Sequence, residues 1–360
     1  MGKRPFVSEK LIIFTMMNRN ELLNLVDKLE QKPARSFDDD ILILDGLNTL
    51  IRGFSVNRTI TADGVHVGGL QGFLKSLGSM VRKFSPTRVL VVWDGVGGAQ
   101  NRKNIDEHYK ANRAHASVIH YDLYEDKKTE MDSMQDQADR LLDYLACLPV
   151  SFIKIDKLEA DDVIAYISKL YSKAGRQVTI VSSDRDFLQL VDSHIRVYSP
   201  IKKVLYDHEE ATKFLQVLPE NYNIVKTLLG DGSDGLAGVK GVGIKGLVKE
   251  FPELVQDPNL TLDQFFDLCV ERRDTRKKAI FTKILAGWHT VEKNYKLMDL
   301  SETVLDDYEK GIVHEVLSNT NLQLRIGPFL HYLEEDKFEM AKDTEAWLCQ
   351  FQFLASGSLA

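Results

Sequence analysis

The chain is 360 residues long and 44% hydrophobic, enough apolar surface to bury one large core or two. Its formal net charge of −7 argues against a binder of polyanions, unless the acids are gathered where metal ions cancel them. Three isolated cysteines, Cys147, Cys269 and Cys349, make neither a disulfide framework nor a Cys-x-x-Cys zinc site.

No apolar run approaches a membrane span, and residues 11–14 soon meet Asn18-Arg19-Asn20, which a signal peptide would not carry. The expectation is a cytoplasmic protein that uses no membrane. Residues 1–35 read as an N-terminal appendage, in which Leu22, Leu23, Leu25, Val26 and Leu29 form one short helix ended by Pro33. An α/β core is expected over 36–215. Ile41-Leu42-Ile43-Leu44 is a buried-strand signal that stops at Asp45-Gly46, and a helix holding Asn48 and Arg52 follows. Residues 68–84 predict a helix with Leu70, Phe73, Leu74, Leu77 and Val81 inward. Residues 88–93 are a second strand stopping at Asp94-Gly95.

Residues 151–155 are strand-like and deliver the chain into Glu159-Ala160-Asp161-Asp162, the start of an amphipathic helix. A further strand at 178–182 runs through Ser183 into Asp184-Arg185-Asp186. Acids in a first helical turn complement the helix dipole, and a single Asp after a strand is usually a turn or cap. Here separate strand ends all terminate in acids. Alternating strands and helices imply a mainly parallel sheet flanked by helices, whose ligands bind beyond the carboxyl ends of the strands. Asp45, Asp94, Glu159, Asp161, Asp162, Asp184 and Asp186 are therefore expected on one rim, where acids that ionise together need a metal counter-charge.

Residues 97–133 form a long polar insertion. Its first half carries Arg102, Lys103, His108, Tyr109, Lys110, Arg113 and His115, and its second half is acidic. A loop of that length is usually functional or disordered. A ring beside two cations suits a nucleotide and its phosphates. Over 216–300, Gly238-Val239-Lys240-Gly241-Val242-Gly243-Ile244-Lys245 reads as a glycine hairpin joining two helices, a form that grips a DNA backbone without reading its sequence. Residues 270–283 hold six cations against Glu271 and Asp274, consistent with a second backbone contact or a solvated helix face. Residues 301–360 read as a C-terminal helical appendage whose aromatic end is expected to bury on its own domain.

The stretches LILDGLNTLIRG (42–53), VLVVWDG (89–95), YKANR (109–113), IDKLEADDVIAY (155–166), IVSSDRDFLQL (180–190), VYSPIKK (197–203) and LLGDGSDGLAGVKGVGIK (228–245) resemble those of the structure-specific 5′ nucleases. These are the flap endonucleases and 5′→3′ exonucleases, and the likeness is nearest to the phage replication RNase H type. The resemblance implies a PIN-like fold with a helical arch at 97–133 and a helix-hairpin-helix region. It implies a Mg²⁺ enzyme that leaves 5′-phosphates, with two ions and Mn²⁺ as a substitute. Asp45, Asp94, Glu159 and Asp161 match ligands of the first ion, and Asp162 extends that network. Asp184, Asp186, Asp231 and Asp234 match the second cluster. Lys110 and Arg113 match arch cations that reach the scissile phosphate, Arg52 a cation near it, and Tyr109 a stacking aromatic.

DNA contacts are expected at Tyr109, Arg102, Lys103, Gly238, Lys240, Gly241, Gly243 and Lys245, with K⁺ at the glycine hairpin in some members. Substrates would be branched or nicked duplex DNA and RNA–DNA hybrids with a 5′ single strand, as in primer removal. A sliding clamp or single-strand-binding protein would be a partner of a monomeric enzyme, in the host cytoplasm if phage-encoded. Three other readings stay open: a PIN-type endoribonuclease, a non-catalytic branched-DNA-binding replication factor, and a small-molecule phosphatase.

Overall fold

The computed structural model describes residues 38–111, 119–120, 122–301, 304–340 and 343–355. The expected N-terminal helix and Arg113 lie outside the described residues. Strand β1 (Asp40–Asp45) is flanked by β2 (Arg88–Trp93) and, on its other side, by β4 (Gln177–Val181). β3 (Ser151–Lys154) lies beyond β2, while β5 (Ile195–Ser199) and β6 (Val204–Tyr206) lie beyond β4, in the order β3-β2-β1-β4-β5-β6. Every pairing is parallel except that of β5 with β6. Parallel strands covered on both faces read as unbroken apolar runs. That is the pattern here, with Ile41 and Ile43 in one core and Leu42 and Leu44 in the other.

The connections are helical. α1 (Gly46–Val56) and α2 (Gly68–Phe84) lead from β1 to β2, α3 (Gln100–Ile105) and α4 (Lys127–Leu145) from β2 to β3, and α5 (Ala160–Lys173) from β3 to β4. After β6 come α6 (His208–Leu215) and α7 (Tyr222–Leu229), then a hairpin of β7 (Gly230–Asp231) and β8 (Leu236–Ala237). Next follow α8 (Ile244–Glu250), α9 (Glu253–Gln256), α10 (Leu262–Arg276), α11 (Ala279–Ala286) and α12 (Trp288–Met298). These later helices share the core of the sheet: Ile224, Leu247, Phe265, Phe281 and Val291 belong to the cluster that contains Ile41. The sheet order reverses between β1 and β4, which makes the crevice at their carboxyl ends the natural ligand site. Asp45 is level with Val92, and Leu44 with Val181, so Asp45, Asp94 and Asp184 leave the sheet at the same rim.

The C-terminal segment differs from the expected appendage, because both faces of the sheet use it. On one face α13 (Asp307–Ser318) contributes Val313 to the first core. The wholly buried Arg88 closes that helix's carboxyl end, donating to Leu317 O at 2.7 Å, Val316 O at 3.1 Å and Asn319 O at 3.3 Å, and to Asp38 Oδ1 at 3.0 Å. Helix C-termini leave such carbonyls without intrahelical partners. On the other face α14 (Ile326–Asp336), α15 (Thr344–Cys349) and α16 (Gln352–Ala355) accompany Phe329, Met340, Trp347, Leu348 and Phe351 into the second core. Trp347 packs so closely on α2 that a Cβ at Gly78 would lie 2.0 Å from its Nε1.

Candidate active site

The rim is built from strand ends and helix starts. Asp45 caps α1: its Oδ1 accepts from Asn48 N at 3.2 Å and its Oδ2 from the Ser182 hydroxyl at 2.9 Å. Asp94, leaving β2, accepts from Ala160 N at 2.9 Å and so ties β2 to the start of α5. Burial first, then the nearby Asp94 and Asp184 charges, push Asp45 up to about 7 against the hydrogen bonds of Ser182 and Asn48. Asp161 is likewise held well above the ordinary carboxylate range by burial and by Asp184 and Asp45. The Ser182 hydroxyl, which donates to Asp45, accepts the Asp184 N–H at 3.0 Å, and Asp94 is tied to the residue before Asp161, so these four acids reach one rim from four segments of the chain.

A second group adjoins the first. Asp186, Asp231 and Asp234 each present an oxygen within 4.8 Å of the others. The hairpin that carries Asp231 and Asp234 depends on Gly230, whose φ of +78° favours glycine and whose added Cβ would lie 2.3 Å from Gly238 N. Asp186 is pushed up to about 6 by burial and the Asp184 charge. Asp231, despite burial, is held down to about 2 by hydrogen bonds from Lys226 and Ser233. A cavity of about 490 Å³ opens here, lined by Asn48, Asp184, Asp186, Lys226 and Asp231. Carboxylate oxygens gathered this way are the donor set that hard divalent cations take.

Other expected site residues are placed differently. Arg102 on α3 is buried and forms a fork on Asp162, with both guanidinium contacts at 2.8 Å, while also donating to Glu159 and to Leu297 O. The guanidinium expected to meet DNA is turned inward, and the Asp162 oxygens expected on the metal are engaged by it. Tyr109, expected to stack on a base, is 4% exposed and packs on Leu236, Leu297 and Met298. Its hydroxyl donates to Glu159 at 3.3 Å. α12 meets both arch residues, with an apolar wall of Leu297 and Met298 for Tyr109 and the Leu297 carbonyl for Arg102.

Glu159 also receives the Lys110 ammonium. Although burial opposes ionisation, Arg102 and Lys110 hold this carboxyl below its ordinary range. Lys110 has a φ of +58°, and its backbone N–H donates to Asp234 O at 3.0 Å. Arg52 donates to the Ser76 hydroxyl at 2.8 Å, bracing α1 on α2. Lys103, Lys240 and Lys245 are exposed.

The stretch before the glycine turn is the short strand β8, so α7 and α8 are separated by the β7–β8 hairpin as well as by 238–243. Gly241 turns at φ +78° and Gly243 caps α8. In the basic patch that follows, Arg272 is buried against Glu253, and Lys278 and Arg276 pair with Glu250. Lys226 escaped the sequence reading. Its only signal there is a cation inside the apolar run Ile224-Val225-Lys226-Thr227-Leu228, five residues before Asp231.

Residues 40–216 match the family model of the 5′-3′ exonuclease N-terminal, resolvase-like domain. A 5′-3′ exonuclease of Bacillus subtilis (strain 168) is 29% identical over 275 residues, which are 73% of this chain and 83% of that one. Among solved structures, T5 5′-exonuclease with divalent metal ions (zinc) bound superposes with a TM-score of 0.60 at 20% identity, over 77% of this chain and 98% of that one. The bacteriophage T5 D15 flap endonuclease, in a pseudo-enzyme–product complex with DNA and metal ions, does so at 0.56 and 18% identity, over 83% of this chain and 100% of that one. These two likenesses carry the shared fold, a mostly parallel sheet of PIN-like type between helices. The matched domain and the relatives are those of 5′-3′ exonucleases, and they support a structure-specific 5′ nuclease.

Proposed function

We propose that the chain is a Mg²⁺-dependent 5′→3′ exonuclease and flap endonuclease that hydrolyses phosphodiesters near a 5′ end or flap junction, acting on RNA primers in replication. The observation that carries this reading is the convergence of Asp45, Asp94, Asp161 and Asp184 on one rim beside Asp186, Asp231 and Asp234. Burial first, and then neighbouring negative charge, raise Asp45 and Asp161 above the ordinary carboxylate range. Oxygen-only donors in a partly enclosed pocket fit a hard divalent cation. Bound divalent ions would supply Lewis-acid polarisation of the phosphate and an activated water.

The chain's own residues then divide the work. Asp45, Asp94, Asp161 and Asp184 would hold the first ion, joined by Glu159 once Lys110 and Arg102 release it, and Asp186, Asp231 and Asp234 would hold the second. Lys110, with Arg113, offsets charge developing on the scissile phosphate, and Arg52 keeps α1 aligned beside it. Exposed Lys103, Lys240 and Lys245 meet backbone phosphates. The α7–α8 turn around Gly238, Gly241 and Gly243 grips the duplex as a helix-hairpin-helix element, with K⁺ as a candidate ligand of that turn. The DNA in the T5 D15 complex supports the same class of partner for this chain.

The test is product-length analysis on 5′-flap, nicked and RNA-primed duplexes, with and without Mg²⁺. Short 5′-phosphorylated products that require Mg²⁺ are expected. Cleavage of single-stranded RNA alone, with flaps spared, would favour a PIN-type endoribonuclease instead.

A further inference from the structure

Lys226 sits on α7 with its side chain 7% exposed, and its ammonium rests on Asp186 and, at 2.8 Å, on Asp231. These are two of the three acids whose oxygens converge within 4.8 Å. The helix that carries the lysine is fixed. Ile224, Val225 and Leu228 lock α7 into the core, and Asn294 clamps the helix to the hairpin by donating to Thr227 O at 3.0 Å and Ala237 O at 2.9 Å. A Mg²⁺ ion lies about 2.0–2.1 Å from its oxygens, inside the hydrogen-bonding distance of an ammonium, so the two cations compete for one set of carboxylates. In the first pocket Lys110 and Arg102 engage Glu159, whereas Asp45 and Asp161 carry no ion pair among the described residues.

Resting on the metal reading above, we infer that Lys226 is a built-in counter-ion of the second acidic pocket. It keeps Asp186 and Asp231 assembled in the absence of metal and sets the pocket's affinity for a divalent ion below that of the first pocket. Arrival of the ion makes Lys226 yield its carboxylates. A phosphate entering with the substrate offers the displaced ammonium an alternative oxygen partner, so the second ion is taken up together with substrate. Lys226 is thus a positioning residue, which acts through Asp186 and Asp231.

The experiment is a Mn²⁺ binding isotherm on the full chain without nucleic acid, reading free Mn²⁺ by electron paramagnetic resonance. The wild type is expected to show one tighter and one weaker site. Lys226→Met should tighten the weaker site about 10–100-fold, the usual scale for residues that contact metal ligands. It should leave the tighter site unchanged and lower the melting temperature of the metal-free chain. Lys226→Arg, which keeps the charge, should return the weaker site towards the wild-type isotherm. Lys226→Gln, neutral but able to donate to both carboxylates, is read in the same way should the methionine variant not fold. A wild-type chain that takes up no Mn²⁺ would overturn the metal reading and this inference with it. Two wild-type sites that neither neutral variant alters would overturn the role of Lys226 alone.

Discussion

Lys110 ties the two acidic groups together, giving its ammonium to the Glu159 side chain and its backbone N–H to Asp234 O. The left-handed backbone at Lys110 aims the side chain at the rim, across the Tyr109 ring at 4.9 Å. A cation so placed is within reach of a phosphate held over the acids. Lys110→Ala is expected to slow single-turnover cleavage of a labelled flap about 10²–10³-fold, the scale for losing one group that stabilises developing charge. Duplex affinity in the same variant should stay close to wild type. A pure binding defect, with the chemical step intact, would refute the role.

Arg102 and Asp162 form a buried forked pair whose side chains are 11% and 7% exposed. Such pairs are weak evidence of net stabilisation, but removing one partner strands the other. Arg102→Met should therefore cost about 3–5 kcal/mol in urea unfolding. An unchanged unfolding midpoint, together with weakened DNA binding, would return Arg102 to a DNA-contacting role.

Stability in the absence of metal should depend on pH in a particular direction. Asp45 and Asp186 have ordinary values of 3.8 but stand at about 7 and about 6 in the fold. Between those limits the native state holds more protons than the unfolded chain, so these groups make stability fall as pH rises through the window. Asp231, held at about 2, contributes in the opposite sense, with stability present above 3.8 and lost as pH falls through its folded value. A divalent ion takes the ionised acids, so its stabilising effect should grow with rising pH. Thermal melts in chelator and in Mn²⁺ across this range would read both trends. A metal-induced shift that is flat with pH would contradict them.

Much of this was legible because buried parallel strands announce themselves. The runs around Ile43, Val91 and Ile180 are unbroken apolar segments, each ending in an acid, and a parallel sheet brings such ends to one rim. What stayed hidden depends on partners distant in sequence. Arg102 and Tyr109 sit in a polar stretch with no period that says which way they face. Tyr109 is turned inward by Leu297 and Met298, nearly two hundred residues on, and Arg102 by Asp162, Glu159 and the Leu297 carbonyl. Trp347 on Gly78 is hidden for the same reason, since an amphipathic terminal helix says that it buries a face but not against what. Lys226 is, in the sequence, only a cation within an apolar run, and its place between two acids comes from the fold.

If Asp184 belongs to a rim of acids that works only with divalent ions bound, removing its charge should stop cleavage. The most direct measurement is cleavage of a labelled 5′ flap in Mg²⁺ by the Asp184→Asn variant, beside wild type, at matched enzyme and DNA concentrations. Cleavage is expected to be lost while the flap is still bound. Undiminished turnover by Asp184→Asn would contradict it.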